Sequence, residues 1–166
     1  MSKSIRSLCK DIKLVLTDVD GVLTDGGMYY TKDGDVMKRF FTRDGMGVTL
    51  LKKSKIPTII VTKEKNKIIR QWAKKMNIAR VYDGILDKST ILDIVCKDYH
   101  LLPKQVAYIG DDVNDIGLLN LVGLSVSPKD GIYEVKKICD YICKMSGGNG
   151  AFRELVDMIL KNSNKH

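Results

Sequence analysis

The sequence predicts an α/β fold: a doubly wound, Rossmann-like parallel sheet with helices on both faces and a β-hairpin extension. Three observations carry this. Short continuous apolar runs recur ("IKLVLTD", "TIIVT", "VAYIG", "LSVS"), each the length of a strand buried on both faces. Segments of helical period lie between most of them, as in βαβ units. Proline or glycine marks several of their ends, as at Pro57, Pro103 and Gly110.

In chain order, the first strand is expected over residues 12–18. "MYYTKDGDVMKRF" then reads as a hairpin, with Asp33-Gly34 supplying residues that tolerate positive φ. A helix over residues 44–55 precedes Pro57, which opens a strand over 58–62. A basic helix over 65–76 leads to a short strand near Val81, and Asp87 is placed to cap a helix that runs to His100. Pro103 stops the chain before the strand at 106–110. "DVNDIGLLNLV" reads as a helix, "LSVS" as a strand, and a short helix follows Pro128. "YIC" is a last strand before the closing helix "AFRELVDMILK". With no repeat, low-complexity tract or linker, residues 1–166 are expected to form one domain.

Composition limits the function. A hydrophobic fraction of 44% over 166 residues suits a globular chain with a sizeable core. No apolar run approaches the roughly 20 residues that span a bilayer, so no membrane partner is expected. The start "MSKSIRSLCKDIK" lacks the apolar core of a leader, which points to the cytoplasm. Cys9, Cys96, Cys139 and Cys143 form no C-x-x-C pair and read as reduced thiols. A formal charge of +8 favours anionic partners. Nucleic acid and a small phosphorylated metabolite are both candidates, but the basic residues are spread along the chain with few aromatics among them, which reads as a solvated surface rather than a nucleic-acid footprint.

Ligands of open α/β sheets bind outside the carboxyl ends of the strands. There the first expected strand ends on Asp18 and Asp20, the second on Thr62, and the "VAYIG" strand on Asp111 and Asp112. Lys88 opens a helix between the last two. "DVD" alone could be a turn with a capping aspartate; the ordered set D-x-D, T, K, G-D-D is far more specific.

This set resembles the haloacid dehalogenase superfamily of phosphotransferases, through "DVDGVLTD", "IIVT", "DK" and "GDDVND". The resemblance implies that Asp18 is the nucleophile, Asp20 the general acid/base, Thr62 a phosphoryl hydrogen-bond donor and Lys88 a charge-neutralising cation. It also implies that Asp18, the backbone carbonyl of Asp20, and Asp111 surround Mg²⁺, with Asp112 supporting them. The chemistry independently wants these types. A phosphomonoester dianion repels a carboxylate, so a hard cation with oxygen ligands must lie between them. Attack by a carboxylate divides hydrolysis into two steps, with a proton donor and acceptor beside it. Gly21 lets the backbone turn and its amide approach the phosphoryl group.

Relatives in this superfamily often carry an inserted cap domain. An independent domain needs about 50 residues, and neither interval, Asp18 to Thr62 or Thr62 to Lys88, has room for one besides its own elements. The plan without a cap resembles phosphatases of 2-keto-3-deoxy sugar acids, through "DVDGVLTDG", "GGMYYTKDGDVMKRF", "TRDGMGVTLL", "YDGILDK" and "GGNGAFRE". That family implies a homotetramer assembled through hairpins, with a neighbouring subunit covering each site.

Within it, Glu64 and Lys75 match the branch acting on nine-carbon acid 9-phosphates, so 2-keto-3-deoxynononate or N-acylneuraminate 9-phosphate is the expected substrate. The 3-deoxy-D-manno-octulosonate 8-phosphate phosphatases, which usually carry Gly-Arg after the threonine, are the alternative; this chain has Lys63 and Glu64 there. Arg43, in "TRDG", is a further candidate for substrate contact. A second alternative is a non-catalytic oligomerisation module like those fused to sugar-acid cytidylyltransferases. Such a role would require none of the site residues.

Overall fold

The computed structural model describes residues 4–163. Its centre is a six-stranded parallel sheet in the order β5-β4-β1-β6-β7-β8. The strands are β1 (Leu14–Thr17), β4 (Thr58–Val61), β5 (Arg80–Tyr82), β6 (Val106–Ile109), β7 (Leu124–Ser127) and β8 (Tyr141–Ile142). Of these, β1, β4, β6 and β7 are buried along their whole length, as their unbroken apolar runs require. The other two strands, β2 (Tyr29–Thr31) and β3 (Gly34–Met37), pair antiparallel as a separate hairpin, with Gly34 at φ 110° in its turn. The ends of residues 1–166 expected as one domain lie outside the described residues.

Helices cover both faces. On one lie α1 (Ile5–Lys10), α2 (Thr42–Lys53), α3 (Lys67–Met76) and α7 (Ala151–Asn162), whose Cys9, Leu51, Ile69, Phe152 and Val156 pack on Val15, Ile60 and Ile109. On the other lie α4 (Thr90–Tyr99), α5 (Ile116–Leu119) and α6 (Tyr133–Ile138), whose Ile91, Val95, Leu118 and Val135 pack on Leu16, Ile59 and Tyr108. Only the hairpin and α2 separate β1 from β4, and no cap interrupts the described residues. The four cysteines are free, and burial pushes the Cys9 thiol up to about 11. Among the described residues, no helix is long and apolar enough to cross a membrane.

The structure departs from expectation at three places. Helix α1, which the sequence reading did not pick out, forms because the Ser4 side chain accepts from the Ser7 amide at its start. The expected helix 112–122 is broken: a single 3₁₀ turn at Val113–Asp115 precedes the short α5. Asp87 does not cap α4 directly; it accepts from the amide and hydroxyl of Ser89 instead, turning the chain into the helix.

Candidate active site

Strand β1 pairs with β4 on one side and β6 on the other, and Thr17 is opposite both Ile60 and Ile109. The residues just beyond these ends are therefore neighbours: Asp18 to Asp20, Thr62, and Asp111. After β5 the chain crosses β1 to begin β6, so the crevice is at the point where strand order reverses.

Lys88, 1% exposed, places Nζ 2.9 Å from Asp18 Oδ2 and 2.6 Å from Asp115 Oδ1. Burial disfavours its charge, but Asp18 and Asp115 outweigh that and raise its pKa. Burial pushes Asp18 up to about 7, with Lys88 opposing and Asp115 reinforcing the rise. Asp111 is pushed up to about 8, by burial first and then by Asp18, Asp115 and Asp112. Thr62 is buried at the tip of β4, and its hydroxyl accepts from the Glu64 amide at 3.3 Å.

Oxygens of Asp18, Asp111 and Asp115 lie within 4.8 Å of one another. Asp111 Oδ1 is buried and has no hydrogen-bond partner among the described residues, which fits a carboxylate that ligates a cation. An all-oxygen donor set suits a hard divalent ion. Asp115 is already saturated: Oδ1 accepts from Lys88 and the Tyr108 hydroxyl, Oδ2 from the amides of Asp111 and Asp112. It therefore supports the cluster. Asp112, expected in that role, is exposed and caps the 3₁₀ turn through the Val113 amide. The spacing in "GDDVND" could have revealed this, since one tight turn returns Asp115 to the two preceding amides.

Gly21, at φ 83°, packs so closely that a Cβ would run into the Asp111 carboxylate. Gly147 and Gly148 serve the same loop: Gly148 N donates to Val22 O at 2.9 Å, and side chains at either would collide with the 21–25 backbone.

The Asp20 carboxylate lies outside the three-aspartate cluster. Its Oδ1 accepts from Lys38 Nζ at 2.8 Å and Thr24 Oγ1 at 3.2 Å. Nothing in the sequence singles out Lys38. Its side chain is 2% exposed, and Nζ also lies 3.2 Å from Asp35 Oδ2 and 3.1 Å from Glu64 Oε2. Burial works against its charge, but bonds to Asp20, Glu64 and Asp35 raise its pKa above the lysine range.

The expected Glu64–Lys75 pair does not form. Glu64 is taken by Lys38, while Lys75 is exposed in the last turn of α3, at the opposite end of that helix from the residues after β4. Arg43 is also not drawn into the cluster; it is exposed, its guanidinium carbon 6.0 Å from the Phe41 ring centroid. Beside Glu64, a cleft of about 460 Å³ opens between the hairpin and the start of α3, lined by Tyr30, Asp35, Lys65 and Asn66.

Residues 49–155 match the haloacid dehalogenase-like hydrolase family. The 3-deoxy-D-manno-octulosonate 8-phosphate phosphatase of Haemophilus influenzae is 36% identical over 156 residues, 94% of this chain and 87% of that protein. A crystal structure of 3-deoxy-D-manno-octulosonate 8-phosphate phosphatase from Moraxella catarrhalis, holding magnesium, phosphate and KDO, superposes with a TM-score of 0.93 at 36% identity. It covers 96% of this chain and 92% of its own. A probable phosphatase from Pseudomonas syringae gives 0.95 at 36% identity, covering 98% of this chain and 93% of its own.

Proposed function

This chain belongs to the haloacid dehalogenase-like hydrolases and, within them, to the family of 3-deoxy-D-manno-octulosonate 8-phosphate phosphatases; from that premise we propose that it removes phosphate from 3-deoxy-D-manno-octulosonate 8-phosphate. The observation that carries the chemistry is the convergence of Asp18, Lys88 and the unpartnered Asp111 oxygen at the sheet's switch point. The eight-carbon substrate takes precedence over the nine-carbon acids suggested by Glu64. The Haemophilus influenzae and Moraxella catarrhalis relatives are phosphatases of the former, and Glu64 pairs with Lys38 instead of the Lys75 that the latter reading requires.

Asp18 attacks phosphorus as a carboxylate, forming an aspartyl-phosphate while the ester P–O bond breaks. Asp20 gives its proton to the departing sugar oxygen, then takes one from the water that attacks the aspartyl-phosphate. Phosphate and free Asp18 result. Lys88 and the Thr62 hydroxyl donate to the equatorial oxygens, and the Gly21 amide approaches them. Asp18, Asp111 and the Asp20 carbonyl would hold Mg²⁺, which when bound neutralises charge between nucleophile and dianion. Glu64 and Asp35 offer acceptors for sugar hydroxyls along the adjoining cleft.

The exposed apolar hairpin and the open crevice support a homotetramer in which a neighbouring subunit covers the site. Assay of octulosonate 8-phosphate beside ketodeoxynononate and N-acetylneuraminate 9-phosphates, each with Mg²⁺, tests the assignment. The eight-carbon ester should have the highest kcat/KM; a nine-carbon ester ahead of it would reverse the choice. No turnover of any would remove the sugar-acid reading.

A further inference from the structure

We propose that Lys38 is a positioning residue for Asp20, fixing one carboxylate oxygen so that the other meets the ester oxygen. This rests on the acid/base reading of Asp20 given above. Asp20 Oδ1 is held by Lys38 at 2.8 Å and Thr24 at 3.2 Å, while Oδ2 receives no hydrogen bond from any described residue. Oδ1 remains an acceptor whether or not Oδ2 carries a proton, so the grip persists through both half-reactions.

The ammonium's three donors meet three carboxylates from three places: Asp20 beyond β1, Asp35 on β3, and Glu64 beyond β4. Asp35 is in turn fixed at 3.0 Å by the side-chain amide of Asn66, the residue that caps α3. The backbone around Lys38 is pinned as well. Arg39 donates outward to Gly148 O at 2.9 Å. Phe40 bridges to Thr24 and stacks on Trp72, with ring centroids 4.5 Å apart. A buried lysine on so fixed a root presents its nitrogen at a set point, and with it the Asp20 carboxylate.

A simple staple between the hairpin and the sheet would lower activity on every ester alike. A positioning residue for a proton donor matters most for leaving groups that need the proton. The test compares wild type, Asp20→Asn, Lys38→Met and Lys38→Arg on aryl phosphates from dinitrophenyl to phenyl, with Mg²⁺. The readout is kcat/KM, which reports formation of the aspartyl-phosphate.

Misplacing a catalytic group by about 1 Å can cost about 10²-fold, so Lys38→Met should lose about that on phenyl phosphate and under about 3-fold on the dinitrophenyl ester. Asp20→Asn should steepen the same dependence further. Lys38→Arg keeps the cation and is readable even if Lys38→Met does not fold. Its planar fork cannot set one nitrogen among three carboxylates, so it should show the same trend at smaller size.

If the folded Lys38 variants lose activity equally on all esters, or not at all, while Asp20→Asn steepens the dependence, the positioning role falls and the Asp20 reading stands. If Asp20→Asn itself leaves the dependence unchanged, the acid/base reading falls and takes this proposal with it.

Discussion

Four hydrogen bonds converge on Asp115, from Lys88, the Tyr108 hydroxyl and the amides of Asp111 and Asp112, and the same Lys88 also contacts Asp18. Removing one partner of a buried ion pair typically costs about 3–5 kcal/mol, because the other charge stays buried. Asp115→Ala should lose stability on that scale in denaturant titration; a loss below about 1 kcal/mol would mean the network carries little. A second prediction follows from the carboxyls whose pKa rises chiefly by burial: Asp44 to about 6, Asp18 to about 7 and Asp111 to about 8. A carboxyl whose folded value lies above its unfolded one favours folding at low pH, and that contribution is lost as pH rises through the folded value. In chelator, the melting temperature should therefore fall between about pH 5 and pH 8, and Mg²⁺ should raise it most at the alkaline end. A melting temperature that climbs across that window, or a larger Mg²⁺ effect at acid pH, would contradict the buried-cluster picture. Asp18, Thr62, Lys88 and Asp111 were legible because each ends a strand or begins a helix at the crevice. Lys38 was not, because its partners come from three segments and nothing local distinguishes it from a surface lysine.

The elements were legible where one physical signal dominates. Apolar runs gave β1, β4, β6 and β7, which the structure buries completely. The short helix α1 and the 3₁₀ turn after β6 are set by local side-chain capping bonds, a weaker signal than periodicity. The hairpin was legible from Asp33-Gly34, but its outward face was not. Tyr30 is 65% exposed, and Met28, Val36 and Met37 are exposed beside it. A two-stranded hairpin is marginal alone and its edges invite pairing. Tyr30→Asp with Val36→Asp should convert the proposed tetramer to smaller species by light scattering and lower kcat/KM for the sugar-acid ester. A wild-type chain that is monomeric yet fully active and selective would defeat this.

At the scale of the whole molecule, the fold places its switch point under the "DVDGVLTDG" loop, and the described residues include no cap domain over the crevice. The net charge of +8 suits a substrate carrying both phosphate and carboxylate. If long-range attraction contributes to capture, kcat/KM should fall as salt rises from about 20 to 200 mM, over which the Debye length shrinks several-fold. An unchanged value would confine recognition to short-range contacts. The most direct test of the chemistry is turnover of octulosonate 8-phosphate by Asp18→Asn beside wild type, with Mg²⁺ saturating and folding checked by melting. An amide is a poor nucleophile and a weaker ligand for a hard cation, so hydrolysis should drop to the uncatalysed background while the protein stays folded. Turnover by the variant within tenfold of wild type, with contaminating phosphatase excluded, would contradict attack by Asp18 and the mechanism built on it.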